Sequence, residues 1–162
     1  MKQEMIDHSL ATSWTGEPQM LLPERATAVP VSIVLYGTDE MLLRTRAWLL
    51  EGCGYRVRTA GDLAELNRMA SEGAVDLLVL CHSMAAEEAG RAAAMVLARR
   101  PGARVVVLTS TAAGHANRLL ADRIDAGEGP ARFVAGIARM AGTIRSLRVR
   151  DAAGKSDSPR RQ

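Results

Sequence analysis

A chain of 162 residues, 48% hydrophobic and 24% charged, has room for one core of ordinary size and the composition of a globular protein. No apolar run approaches the roughly 18 residues a membrane span needs, and a net charge of +3 spread along the sequence excludes the concentrated basic face of a dedicated nucleic-acid binder. Two cysteines, Cys53 and Cys81, stand at no metal-ligand spacing and make no disulfide framework, so both are read as reduced thiols in a cytoplasmic protein.

Residues 1 to 29 show no sustained period, and acids, a histidine and prolines interrupt any apolar block, so no signal peptide is read there. A flexible arm is expected, with a short partner-binding motif around Trp14 as the alternative. Val31 to Tyr36 (V-S-I-V-L-Y) is β-branched and apolar, a first strand. Thr38 or Asp39 then opens a helix in which Leu43, Ala47 and Leu50 recur at i, i+4 and i+7. Leu42 and Leu49 widen that stripe, and Arg44 and Arg46 are expected to point away from it. Gly52 and Gly54 end the helix. Tyr55, Val57 and Thr59 alternate with Arg56 and Arg58, a strand with one wet face near a sheet edge. Asp62 with Glu65 reads as a capping box for a second helix whose apolar side is Leu63, Leu66 and Ala70.

Val75 to Cys81 (V-D-L-L-V-L-C) is apolar but for Asp76, the signature of a strand buried on both faces. Ala85 to Arg100 carries a stripe of Ala89, Ala93, Val96 and Leu97 and stops at Pro101-Gly102, a third helix. Glu87 and Glu88 at its start are read as solvated acids favoured by the helix dipole. Arg104 to Leu108 is a fourth strand closing at Thr109. A short helix through Asn117 to Ala121 and a poor fifth strand near Arg123 to Asp125 follow. Phe133, Ile137, Met140, Ile144 and Leu147 then mark a final amphipathic helix opening near Pro130. From Arg150 the composition turns to Gly, Ser, Pro, Asp and Arg, and a disordered tail over 150–162 is expected.

Strand and helix alternate about five times, which predicts an α/β doubly wound parallel sheet with helices on both faces over residues 30–149. In such sheets chemistry gathers at the carboxyl ends of the strands, so Cys81 is the residue to watch. The stretches I-V-L-Y-G-T-D-E at 33–40, L-L-E-G-C-G-Y-R-V at 49–57, D-L-L-V-L-C-H-S-M at 76–84 and V-V-V-L-T at 105–109 resemble the receiver domain of two-component response regulators. The resemblance runs from Val31 to Leu147. It implies the CheY-like, flavodoxin-like (βα)5 fold with strand order 2-1-3-4-5, here with a shortened region around the fourth helix and fifth strand.

The resemblance also implies a phosphorylation pocket, and this sequence departs from it. The paired acids that hold Mg²⁺ in a receiver are matched by Gly37 and Thr38, with Asp39 one step beyond. The phosphate-accepting aspartate is matched by Cys81. Thr109 retains the hydroxyl that contacts the phosphoryl group, and between Asp122 and Pro130 no lysine stands where the family's lysine is expected. The expectation is a phosphorylation-incompetent pseudo-receiver with no cofactor and no enzymatic activity. It would act through contacts with signalling proteins such as a histidine kinase or other regulators, bind neither nucleic acid nor membrane, and pair with a second copy through the last helix.

Each singled-out residue also has a plainer reading. Cys81 is either a thiol of lowered pKa in a redox sensor or a small buried hydrophobe filling the aspartate's space, and the second is preferred. Cys53 is read the same way. His82 faces away from Cys81 as its strand neighbour, a poor base for the thiol. Thr109 is a turn residue or a retained signalling hydroxyl. Arg139, Arg145, Arg148 and Arg150 suit a helix dipole or form a partner surface, and Trp48 is a half-buried core residue or an interface anchor.

Overall fold

In a computed structural model of the chain, residues 29–82, 84–109, 122–125, 127 and 129–155 are described. Residues 1–28 of the arm expected over 1–29, the short helix over 117–121 and the tail beyond 155 lie outside them. Five strands, β1 (Ser32–Tyr36), β2 (Arg56–Ala60), β3 (Leu77–Leu80), β4 (Arg104–Thr109) and β5 (Asp122–Asp125), form one parallel sheet in the order β2-β1-β3-β4-β5. The helices are α1 (Glu40–Gly52), α2 (Leu63–Glu72), α3 (Ala86–Arg99) and α4 (Pro130–Lys155).

Alternation along the strands divides the core in two. Ile33, Leu35, Leu77, Val79, Val106 and Leu108 face α1 and α4, while Val34, Tyr36, Leu78, Leu80 and Val105 face α2 and α3. The three middle strands are therefore buried on both sides, which is why β1 and β3 read as continuous apolar runs. β2 and β5 are the edges, as expected for β2, but of the two arginines read as its wet face only Arg56 is exposed; Arg58 is half-buried and donates to the Met69 carbonyl. Register places Ile33 beside Leu77 and Leu77 beside Arg104, so the carboxyl ends of β1, β3 and β4 come out at one edge.

Both helix starts expected from sequence are capped. Asp39 accepts the Leu42 N–H at 3.0 Å and Asp62 the Glu65 N–H at 2.8 Å, while the Glu65 carboxylate takes the N–H of Gly61. At the opposite edge of the sheet, Asp76 accepts the Ser32 N–H at 2.7 Å and pairs with Arg148, which also donates to the Val29 carbonyl. The C-terminal half of α4 and the start of β1 are thus joined through Asp76, the residue just before β3.

Three features of the last helix differ from expectation. It runs on to Lys155, because Arg150 to Ala153 are adequate helix formers and Gly154 weakens the helix without stopping it. Arg139, Arg145, Arg148 and Arg150 therefore lie short of the final turn, and the dipole, which acts only there, does not explain them. Leu147, placed on the apolar stripe, is exposed because the helix has by then passed the core.

Candidate functional site

Cys81 follows β3 directly, and its N–H still donates to the Tyr36 carbonyl at 2.9 Å, which fixes it beside the end of β1. It is 4% exposed and belongs to the core layer under α1 and α4. Gly37 lies against it: a Cβ on Gly37 would stand 2.8 Å from the Cys81 Cβ and 3.3 Å from the sulfur. Side chains at 37 and 81 compete for one space, and the sequence gives it to the thiol.

Arg46 departs from the orientation its charge predicts. It was expected to face water, but it is 7% exposed and donates to the Cys81 sulfur at 3.2 Å. Its other terminal nitrogen lies 3.4 Å from His82 Nδ1, and its guanidinium sits 5.7 Å from the centroid of the Phe133 ring. The cause is helical geometry. Position 46 is three residues after Leu43 and four before Leu50, on the buried side of α1. Side chains on a helix lean toward its N-terminus, so the Arg46 head reaches back to the sheet edge from which α1 starts. The stem is apolar and packs; the charge travels along it to the thiol.

The remaining pocket positions follow β1 or close β4. Thr38 and Asp39 are exposed, and the Asp39 carboxylate is engaged as the cap of α1. Thr109 closes the neighbouring strand β4 and is half-buried. Burial pushes the Cys81 thiol above its ordinary pKa of 9.0; Arg46 opposes that shift and Asp39 adds to it. His82 does not bond the thiol, and Arg46 stands between them.

Mg²⁺, which the resemblance implies, requires several oxygen ligands in octahedral array. The residues here do not fit it: a glycine, a threonine, one capping carboxylate, a thiol and a buried guanidinium. No group of three or more His, Cys, Asp or Glu side chains among the described residues is placed to hold a metal ion.

The candidate surface residues are not gathered into one patch. Trp48 is 75% exposed on α1, with Met41 one heptad before it equally bare. Arg139 lines a groove of about 230 Å³ with Arg123, Asp125, Arg132 and Gly136. Arg145 lies over the Tyr55 ring at 5.7 Å, and Arg148 is half-buried and committed to Asp76. Cys53, read as a buried hydrophobe, is exposed, because Gly52 and Gly54 end α1 at the surface. Both thiols are free. Glu88, read as solvated, accepts the hydroxyl of buried Tyr36 at 2.7 Å. No sequence signal marks that bond.

No protein-family model matches the sequence, and no curated protein matches it either. Solved structures do. The non-phosphorylated HemR receiver domain from Leptospira biflexa is 26% identical, with a TM-score of 0.59, over 68% of this chain and 94% of its own. A CheY-like response regulator receiver domain protein from Methanospirillum hungatei JF-1 is 18% identical with a TM-score of 0.59, over 74% of this chain and 99% of its own. A protein from Rhodopirellula baltica named adenylate cyclase is 14% identical with a TM-score of 0.65, over 80% of this chain and all of its own. Sheet order, helix placement and these neighbours agree, and the chain has the CheY-like, flavodoxin-like fold of response regulator receiver domains.

Proposed function

We propose that the chain is a stand-alone pseudo-receiver, a response-regulator-like signalling module that acts through protein contacts and is not phosphorylated at the family's acceptor position. Phosphoryl transfer to a receiver needs a carboxylate nucleophile and a metal to neutralise the phosphoryl oxygens. The observation that carries the reading is the side chain at the acceptor position: a buried thiol wedged against Gly37, with a guanidinium on its sulfur. The name adenylate cyclase belongs to one neighbour at 14% identity and brings no catalytic residue to this chain. We read the chain as a non-enzyme whose partners are other signalling proteins, contacted through exposed Trp48 and Met41 on α1 or the outer face of α4, where a second copy is one such partner. No helix among the described residues is long and apolar enough to cross a membrane.

Intact-mass measurement of the protein with acetyl phosphate and MgCl2 tests the reading. No adduct is expected; a Mg²⁺-dependent phosphate on Asp39 or any other acid would overturn it. Partner capture by cross-linking is expected to be indifferent to acetyl phosphate.

A second reading, a thiol redox sensor at Cys81, draws on the N–H that Arg46 donates to the sulfur. Burial works against it, keeping the thiol protonated and covered.

A further inference from the structure

A buried cation ordinarily has a carboxylate beside it, because losing water costs a charge more than neutral hydrogen bonds return. Arg46 has none among the described residues. Its surroundings are a thiol, an imidazole and an aromatic ring. Among the described residues it is nevertheless one of two polar or charged side chains in the buried set, the other being Ser32. The charge is delivered to the side chain at the position where a receiver carries its acceptor acid.

In a receiver, a divalent ion neutralises the acids of the pocket. Here the room beside position 81 for one of those acids is closed, since any side chain on Gly37 meets the Cys81 Cβ. The positive charge comes instead from α1, and the same guanidinium touches Cys81 and His82 after β3 and Phe133 in the first turn of α4. We propose that Arg46 is the resident cation of this pocket, and that a carboxylate placed at position 81 is neutralised by this guanidinium from within the chain and not by a divalent metal ion. The proposal rests on the pseudo-receiver reading and extends it. The pocket has gained a fixed positive charge besides losing its acids, so its electrostatic state does not respond to Mg²⁺ or to a phosphoryl donor, and restoring the acceptor acid alone does not restore a switch.

The test uses the full chain and four proteins: wild type, Cys81→Asp, Arg46→Met and the double variant, each unfolded in urea and melted with and without MgCl2. The expected result is coupling, with the double variant less stable than the single changes predict by a factor of about ten or more in the unfolding constant. MgCl2 is expected to leave the melting temperature of Cys81→Asp unchanged. Additive effects, or a Mg²⁺-dependent rise in that melting temperature, would overturn the proposal. Should Cys81→Asp fail to fold, His82→Asp places a carboxylate on the other arm of the guanidinium at a half-buried position. Coupling to Arg46→Met then supports the proposal, and additivity overturns it. Labelling of the wild type by acetyl phosphate is a separate outcome: it would remove the pseudo-receiver reading whatever the coupling shows. Additivity in an unlabelled protein removes only the role of Arg46.

Discussion

Cys81 and Cys53 carry the same thiol in opposite surroundings, one under α1 and α4, the other at the surface where α1 ends. Treatment of the folded protein with iodoacetamide is therefore expected to modify one cysteine per chain, Cys53, and to reach Cys81 only after denaturation, as peptide mass mapping will read. Rapid alkylation of both would favour the redox reading. Gly37 gives a second residue-scale prediction. Gly37→Ala forces a Cβ against that of Cys81 and should destabilise the fold by about 1–3 kcal/mol in urea unfolding, the usual cost of overpacking. At this scale the sequence was legible where it showed a missing residue type, as at positions 37, 38 and 81. It was not legible at Arg46. A stripe drawn through Leu43, Ala47 and Leu50 assigns an arginine to water by its charge, whereas position follows the stem, and the methylene stem of an arginine on the buried flank of a helix packs as a hydrophobe would.

Among elements, α4 offers a matched pair of glycines with opposite expectations. A Cβ on Gly136 would fall 2.7 Å from Ile124 Cδ1 and 2.9 Å from Cγ1, so Gly136→Ala pushes β5 off the helix and should cost about 1–3 kcal/mol. Nothing lies within 4 Å of a Cβ on Gly142, and Gly142→Ala should stabilise by up to about 1 kcal/mol, the helix propensity difference. Urea unfolding of the two variants under one set of conditions checks both signs. Helix starts were readable because capping is local: Asp39 and Asp62 do what their spacing predicts. The end of α4 was not, since the composition changes near Arg150 while the backbone continues to Lys155. Element order followed from periodicity, and strand order 2-1-3-4-5 came with the resemblance and not from any pairing signal in the residues.

For the molecule as a whole, stability should fall on the alkaline side. Burial raises the pKa of the Cys81 thiol above 9.0 and, with the hydrogen bond to Glu88, raises that of the Tyr36 hydroxyl well above 10.0. Both groups hold their protons longer in the folded state than in the unfolded chain. Their contribution is complete below the unfolded pKa values and drains away as the pH climbs past them, because only the unfolded state can then release a proton. Melting temperature measured from neutral pH upward should decline first near the ordinary thiol range, and Cys81→Ala should flatten that first part. Tyr36→Phe should flatten the later one.

The joint at Asp76 has a consequence for how the protein is made. It fastens the front of the central strand to a residue near the far end of the chain, and the helix bearing that residue is also the cover over Ile33, Leu77 and Val106. On the ribosome, the flank of the middle strands that α1 leaves uncovered stays open until α4 has emerged, and a polypeptide stopped before that helix should aggregate more readily than the full chain.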